Sequence, residues 1–166
     1  DSANRVKLLL DELVDLDCKC RYWVLLGEGY NHSYDELVRL TKRNRFSEII
    51  LVKANNSMWE ILKLCSLVIV SGGITLVECT YAGLPTLNIF HHIDHQNVAS
   101  PIVFDKGVSI NLGVFSSNVM QQLKRNIIHL STNREELSNM HNKSKGLVGK
   151  NGAQTMIDKI KEHLLP

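Results

Sequence analysis

The sequence predicts an α/β fold, a Rossmann-like parallel sheet with helices on both faces, and three observations carry that prediction. Short, largely apolar runs recur along the chain: Tyr22 to Leu26, Ile49 to Val52, Leu67 to Val70 and Thr86 to Phe90. The segments between them repeat their apolar residues at helical spacing. Two of the runs stop abruptly on glycines, at Gly27-Glu28-Gly29 and Ser71-Gly72-Gly73. Strands buried on both faces and separated by helices belong to parallel sheets covered on both sides.

Each element follows in order. Val6, Leu9, Leu10 and Leu13 make one face of a first amphipathic helix, and the run ending at Leu26 is the first strand. A polar loop leads to a helix through Leu37, Val38 and Leu40, then to the second strand. Met58, Ile61, Leu62 and Cys65 fall at i, i+3, i+4 and i+7, the pattern of a helix with one apolar face. The third strand runs into two glycines, and a short helix follows to Ala82. Gly83 then supplies a left-handed cap, and Pro85 prevents continuation. Thr86 to Phe90 is the fourth strand and Val108 to Asn111 the fifth. Two further helices are marked by Val119, Leu123, Ile127 and Leu130, and by Ala153, Met156, Ile157, Ile160 and Leu164.

A length of 166 residues suits a single domain with one core. The formal net charge is +2 with cations and anions interspersed, so no basic stripe points to nucleic acid. The longest strongly apolar stretch, Leu64 to Val70, falls far short of the roughly 20 residues that a membrane span needs. Asp1, Arg5 and Lys7 open the chain without the apolar region of a signal peptide. The absence of an initiator Met suggests a part of a longer protein. Of the four cysteines, Cys18 and Cys20 form a C-x-C pair with no second pair at zinc spacing. The expectation is buried, reduced thiols in a cytoplasmic protein.

In open parallel sheets, ligands bind beyond the carboxyl ends of the strands. Four loops open there, near Gly27, Lys53, Ser71 and His91. In Ser71-Gly72-Gly73-Ile74-Thr75 a strand meets paired glycines and then a helix. Glycine lets the backbone approach a ligand, and the first helical N–H groups attract an anion such as a diphosphate. No Lys follows the glycines, and the spacing is not G-x-G-x-x-G, so this is neither a Walker loop nor a dinucleotide fingerprint. A plain tight turn is the competing explanation. Glu78 has two readings as well. Thr75-x-x-Glu78 matches a capping box, whereas a carboxylate facing the ligand offers two acceptor oxygens to the cis-diol of a ribose.

His91-His92-Ile93-Asp94-His95-Gln96-Asn97 follows the fourth strand. It lacks the further spaced ligands of a metal site, so it reads as a polar cluster facing a sugar, with Gln96 and Asn97 opening the next helix. Lys53-Ala54-Asn55-Asn56-Ser57 could present backbone groups to a base, or supply a helix cap at Asn56 or Ser57. No metal and no cofactor are expected.

At these residues the sequence resembles the C-terminal domain of the GT-B enzymes. The resemblance is strongest to the branch of the UDP-sugar hydrolase of pseudaminic acid synthesis and the related spore-coat polysaccharide protein. The lipid II-forming N-acetylglucosaminyltransferase is a more distant relative. It rests on Ser71-Gly72-Gly73-Ile74-Thr75-Leu76-x-Glu78, Gly83-Leu84-Pro85-Thr86, Asp94-His95-Gln96, Ile110-Asn111-Leu112-Gly113 and Gly146-Leu147-Val148-x-x-x-Gly152-Ala153, in that order along nearly the whole chain. The resemblance implies that the Ser71–Thr75 segment holds a diphosphate and that Glu78 binds the ribose. It further implies that backbone at Ala54 and Asn55 meets uracil, that Gly27 and Glu28 lie near the phosphates, and that Asp94, His95 and Gln96 face the sugar. The hydrolase branch reads Asp-Asn-Gln where this chain has Asp94-His95-Gln96. His95 is thereby the candidate acid–base group, since an imidazole's ordinary pKa of about 6.5 suits proton transfer near neutrality.

The family also implies a partner: a preceding Rossmann-like domain that completes the cleft and contributes a Gly-rich loop and, in the hydrolase branch, a catalytic His. The expected function is half of an enzyme that hydrolyses a UDP-linked amino sugar or transfers it in cell-surface polysaccharide or nonulosonic acid synthesis. The competing function is a non-catalytic regulatory or assembly module, fused to another sugar-activating enzyme such as a synthetase of the CMP-sialic-acid type.

Overall fold

The computed structural model describes residues 3–53, 58–99, 104, 106–149 and 151–164. The elements alternate as expected: α1 (Arg5–Leu13), β1 (Arg21–Leu26), α2 (Tyr34–Thr41), β2 (Glu48–Lys53), α3 (Met58–Leu62), β3 (Val68–Val70), α4 (Gly73–Tyr81), β4 (Thr86–Phe90), α5 (Ile93–Ala99) and β5 (Ser109–Val114). Three helices close the described chain: α6 (Ser117–Thr132), α7 (Arg134–Ser144) and α8 (Gly152–Leu164). Every strand pair is parallel. Among the described residues, no helix is long and apolar enough to cross a membrane.

The ladders differ in one respect from a single continuous sheet. β1 pairs with β2, and separately β3, β4 and β5 form a three-stranded sheet in that order. What joins the two is side-chain packing. Cys20 and Tyr22 beside β2, and Leu67 and Ile69 at β3, lie against one cluster built on Leu13, Leu16, Leu87, Leu112, Leu123 and Leu130. β4 is buried at all five positions, which makes it the central strand of its sheet.

β5 extends past the expected Asn111 through a bulge. The register jumps between Asn88↔Asn111 and Ile89↔Gly113, leaving Leu112 as the extra residue. The Asn111 side chain accepts a hydrogen bond from the Gly113 N–H at 2.8 Å, which holds the bulge closed.

The end of α4 is capped as the Gly83 position predicts. Gly83 N–H donates to the Thr80 carbonyl at 3.1 Å and Leu84 N–H to that of Cys79 at 2.9 Å, the paired bonds of a Schellman motif. Gly83 has φ +77, and a Cβ there would sit 2.6 Å from His141 Nδ1. That nitrogen instead meets the Gly83 carbonyl oxygen at 2.7 Å, tying α7 to the α4 cap.

α6 and α7 meet at Asn133. Its side-chain oxygen accepts from the Glu136 N–H at 3.1 Å, while its amide donates back to the Glu136 carboxylate at 3.0 Å. Asn133→Ala should therefore cost about 1 kcal/mol, or roughly 2–4 °C in a thermal melt.

Two expectations on burial need correction. Cys18 and Cys79 are buried and none of the four thiols is in a disulfide, but Cys20, just ahead of β1, is half-buried, as is Cys65, which lies beyond α3 because that helix ends at Leu62 rather than extending through Cys65. α8 has the expected apolar stripe, yet Met156, Ile157 and Ile160 are exposed.

Candidate functional site

β3 delivers the chain to Ser71, and α4 begins two residues later. Gly72 is the N-cap, with φ 85 and ψ −153, a conformation open essentially to glycine alone. It also lies on the ring of Phe90, the last residue of the neighbouring β4: a Cβ on Gly72 would be 2.4 Å from Phe90 Cε1. Gly72 is thus demanded by backbone and by packing. Gly73 differs. Its φ is +68, but no described residue lies within 4 Å of where its Cβ would be.

No side chain caps α4 at its N-cap residue. Ser71 and Gly73 are exposed and Ile74 is 76% exposed. The tip of the helix is open, and its leading amides and the dipole behind them form an electropositive mouth.

The helix start decides one question about Glu78. A capping box needs Thr75 at the N-cap, but Thr75 is the third residue of the helix and Glu78 the sixth. Side chains of a helix lean toward its N-terminus, so the Glu78 carboxylate is directed back along the face of Ile74 and Thr75. It is half-buried, and among the described residues it accepts no hydrogen bond. Behind it, burial pushes the Cys79 thiol up to about 11, with the Glu78 charge adding to the shift. Cys79 therefore stays a neutral core residue.

The segment after β4 stands next to this mouth, since β3 and β4 are paired and Phe90 touches Gly72. Here α5 starts at Ile93, earlier than the Gln96-Asn97 opening expected from the sequence. Asp94 in its first turn favours the early start, because a carboxylate there complements the helix dipole. Asp94 and His95 are exposed, and Gln96 is half-buried. The His95 ring meets that of His92 edge-on, with centroids 5.9 Å apart. Among the described residues, no group of three or more His, Cys, Asp or Glu is arranged to hold a metal ion.

The remaining expected site residues lie apart or out of view. Gly27 and Glu28 are exposed in the turn that ends β1, closed by the Tyr30 N–H donating to the Gly27 carbonyl at 2.9 Å. They belong to the other ladder. Ala54 and Asn55 lie outside the described residues. Phe90 was not singled out by sequence reasoning. An aromatic residue at the end of an apolar strand reads as core, and nothing in the sequence indicates that its ring supports the glycine turn.

No protein-family model matches the chain. It is 26% identical over 110 residues to the spore coat polysaccharide biosynthesis protein SpsG of Bacillus subtilis, a stretch covering 66% of this chain and 31% of SpsG. It is 31% identical over 93 residues to an uncharacterised protein of Methanocaldococcus jannaschii, covering 55% of this chain and 19% of that protein. The crystal structure of Acinetobacter baumannii MurG superposes on 95% of this chain and 45% of its own, with a TM-score of 0.74 and 19% identity. The chain thus spans less than half the length of each of these proteins. The extent of the MurG superposition shows the fold: parallel strands flanked by helices in the Rossmann-like arrangement of a GT-B half.

Proposed function

We propose that this chain is the nucleotide-sugar-binding half of a two-domain GT-B enzyme acting on a UDP-sugar, completed by a second domain that closes the cleft. The observation that carries the reading is the open tip of α4. Its leading amides lie beside a glycine whose Cβ position meets no described residue, and Glu78 on the same helix accepts no hydrogen bond among the described residues. The fold likeness to MurG and the sequence likeness to SpsG support it.

In this reading the diphosphate sits at Ser71–Thr75, Glu78 accepts from both ribose hydroxyls, and Asp94, His95 and Gln96 meet the sugar. Gly27 and Glu28 approach the phosphates, and Ala54 and Asn55 meet the uracil through their backbone. Breaking the sugar–phosphate bond leaves negative charge on the departing UDP, and the α4 N-terminus stabilises that charge as it forms. His95 is the proton-transfer group on this side of the cleft. The acceptor is water or a second saccharide, in the making of a surface polysaccharide or a nonulosonic acid.

The test is calorimetric titration with UDP. Glu78→Ala should weaken binding at least tenfold, about 1.5–3 kcal/mol for lost charge-assisted hydrogen bonds. Equal affinity in the variant and the parent would remove Glu78 from the ribose.

A further inference from the structure

A second chemical feature stands apart from this site, between α1 and β1. Cys18 Sγ and Cys20 Sγ are 2.7 Å apart. The backbone explains the approach. Cys20 N–H donates to the Cys18 carbonyl at 2.8 Å, so Cys18-Lys19-Cys20 is a γ-turn, and the same bond from Cys18 to Leu16 precedes it. Two residues apart in an extended strand, Cα atoms stand about 6.6–7.2 Å from each other, at or beyond the roughly 4.4–6.8 Å that a disulfide spans. A γ-turn draws them inside that range. It is also pinned from β2: the Ser47 hydroxyl donates to the Cys18 carbonyl, and the Glu48 N–H donates to the Cys20 carbonyl at 3.0 Å. The thiols are thus held on one side of a fixed turn, and about 0.7 Å of further approach reaches the S–S bond length of about 2.05 Å.

We propose that Cys18 and Cys20 form a reversible intrachain disulfide, made by exchange with a small oxidised disulfide such as oxidised glutathione. Cys20 is the half-buried member and Cys18 is 6% exposed, so the oxidant meets Cys20 first. The Cys20 thiolate attacks one sulfur of oxidised glutathione and expels a glutathione thiolate, leaving a mixed disulfide. Cys18, on losing its proton, attacks Cys20 Sγ and expels the second glutathione thiolate. The two cysteine protons end on the two glutathiones, and the exchange consumes no other reagent. Burial, then the Cys18 hydrogen bond, push the Cys20 thiol up to about 11, with Cys18 and Tyr22 the titratable groups against it. Few thiolates exist near neutrality, so closure is slow there and should speed up about tenfold per pH unit between roughly pH 7 and pH 9.

Lys19 makes the product easy to read. Trypsin cuts after Lys7, Lys19 and Arg21, so a disulfide leaves peptide 8–19 joined to dipeptide 20–21. The folded chain is incubated with oxidised glutathione, alkylated under denaturing conditions, digested and analysed by mass. The expected result is the joined peptide, lighter by two hydrogens than its separate parts, with Cys65 and Cys79 alkylated. Reduction should restore four alkylated cysteines, and Cys18→Ser should halt the reaction at a glutathione adduct on Cys20. Recovery of Cys18 and Cys20 as separately alkylated residues, or a lasting glutathione adduct on Cys20 of the unaltered chain, overturns the proposal.

Discussion

Gly72→Ala is expected to destabilise the chain by about 2–6 kcal/mol, as read from the midpoint of a guanidinium titration. Two independent costs add. The backbone conformation at Gly72, φ 85 and ψ −153, carries about 1–3 kcal/mol of strain for any residue with a β-carbon. The new methyl group would also lie 2.4 Å from a ring carbon of Phe90, and displacing a packed ring costs about 1–3 kcal/mol. Gly73→Ala is the informative contrast. Its φ of +68 costs about 1–2 kcal/mol, but its methyl group meets none of the described residues. That position is where the proposed diphosphate lies. The Gly73 variant should therefore lose less stability than the Gly72 variant while losing affinity for UDP, whereas loss of binding in the Gly72 variant would follow loss of the fold.

Phe90→Ala should cost about 3–5 kcal/mol, measured in the same titration. The ring is fully buried among Val70, Leu76, Cys79 and Val108, and meets Phe104 edge-on at 5.8 Å. Its removal leaves a cavity directly beneath the glycine turn. The two sites are in contact, so their effects should not add. In the Gly72→Ala, Phe90→Ala double variant the inserted methyl group has room, and only the backbone strain and the remaining cavity are left. The double variant should fall short of the sum by about 1–3 kcal/mol, the size of the relieved clash. A fully additive result would show that the turn and the ring do not bear on each other.

Much of this architecture was legible in the sequence for physical reasons. β4 was read to its last residue because Pro85 fixes its start and Leu87, Ile89 and Phe90 carry the apolar run to its end, although Thr86 and Asn88 within it are polar and buried. The Gly83-Leu84-Pro85 stop was equally plain, since glycine and proline act through the backbone and need no knowledge of neighbours. What stayed hidden depended on tertiary partners. β5 was expected to end at Asn111, although the Asn111 side chain satisfies a bulge that lets the strand continue to Val114. The start of α5 was misplaced because its first turn carries no conventional capping residue ahead of Ile93. In the candidate site, the glycines and the position of Glu78 could be read, but excluding the capping box at Thr75 and Glu78 needed the helix boundary itself.

Helix α1 bears on how the molecule comes apart. Leu10 and Val14 of this segment are anchored among Leu26, Leu37 and Leu40, while Leu13 is anchored with Leu123 and Leu130, and Glu12 pairs with Lys124 of α6. One short helix is therefore a hinge pin shared by two backbone ladders that, among the described residues, have no hydrogen bonds in common. Loosening that pin would let the β1–β2 unit open on its own, ahead of global denaturation, and amide exchange would register it as a separate, faster class of protons.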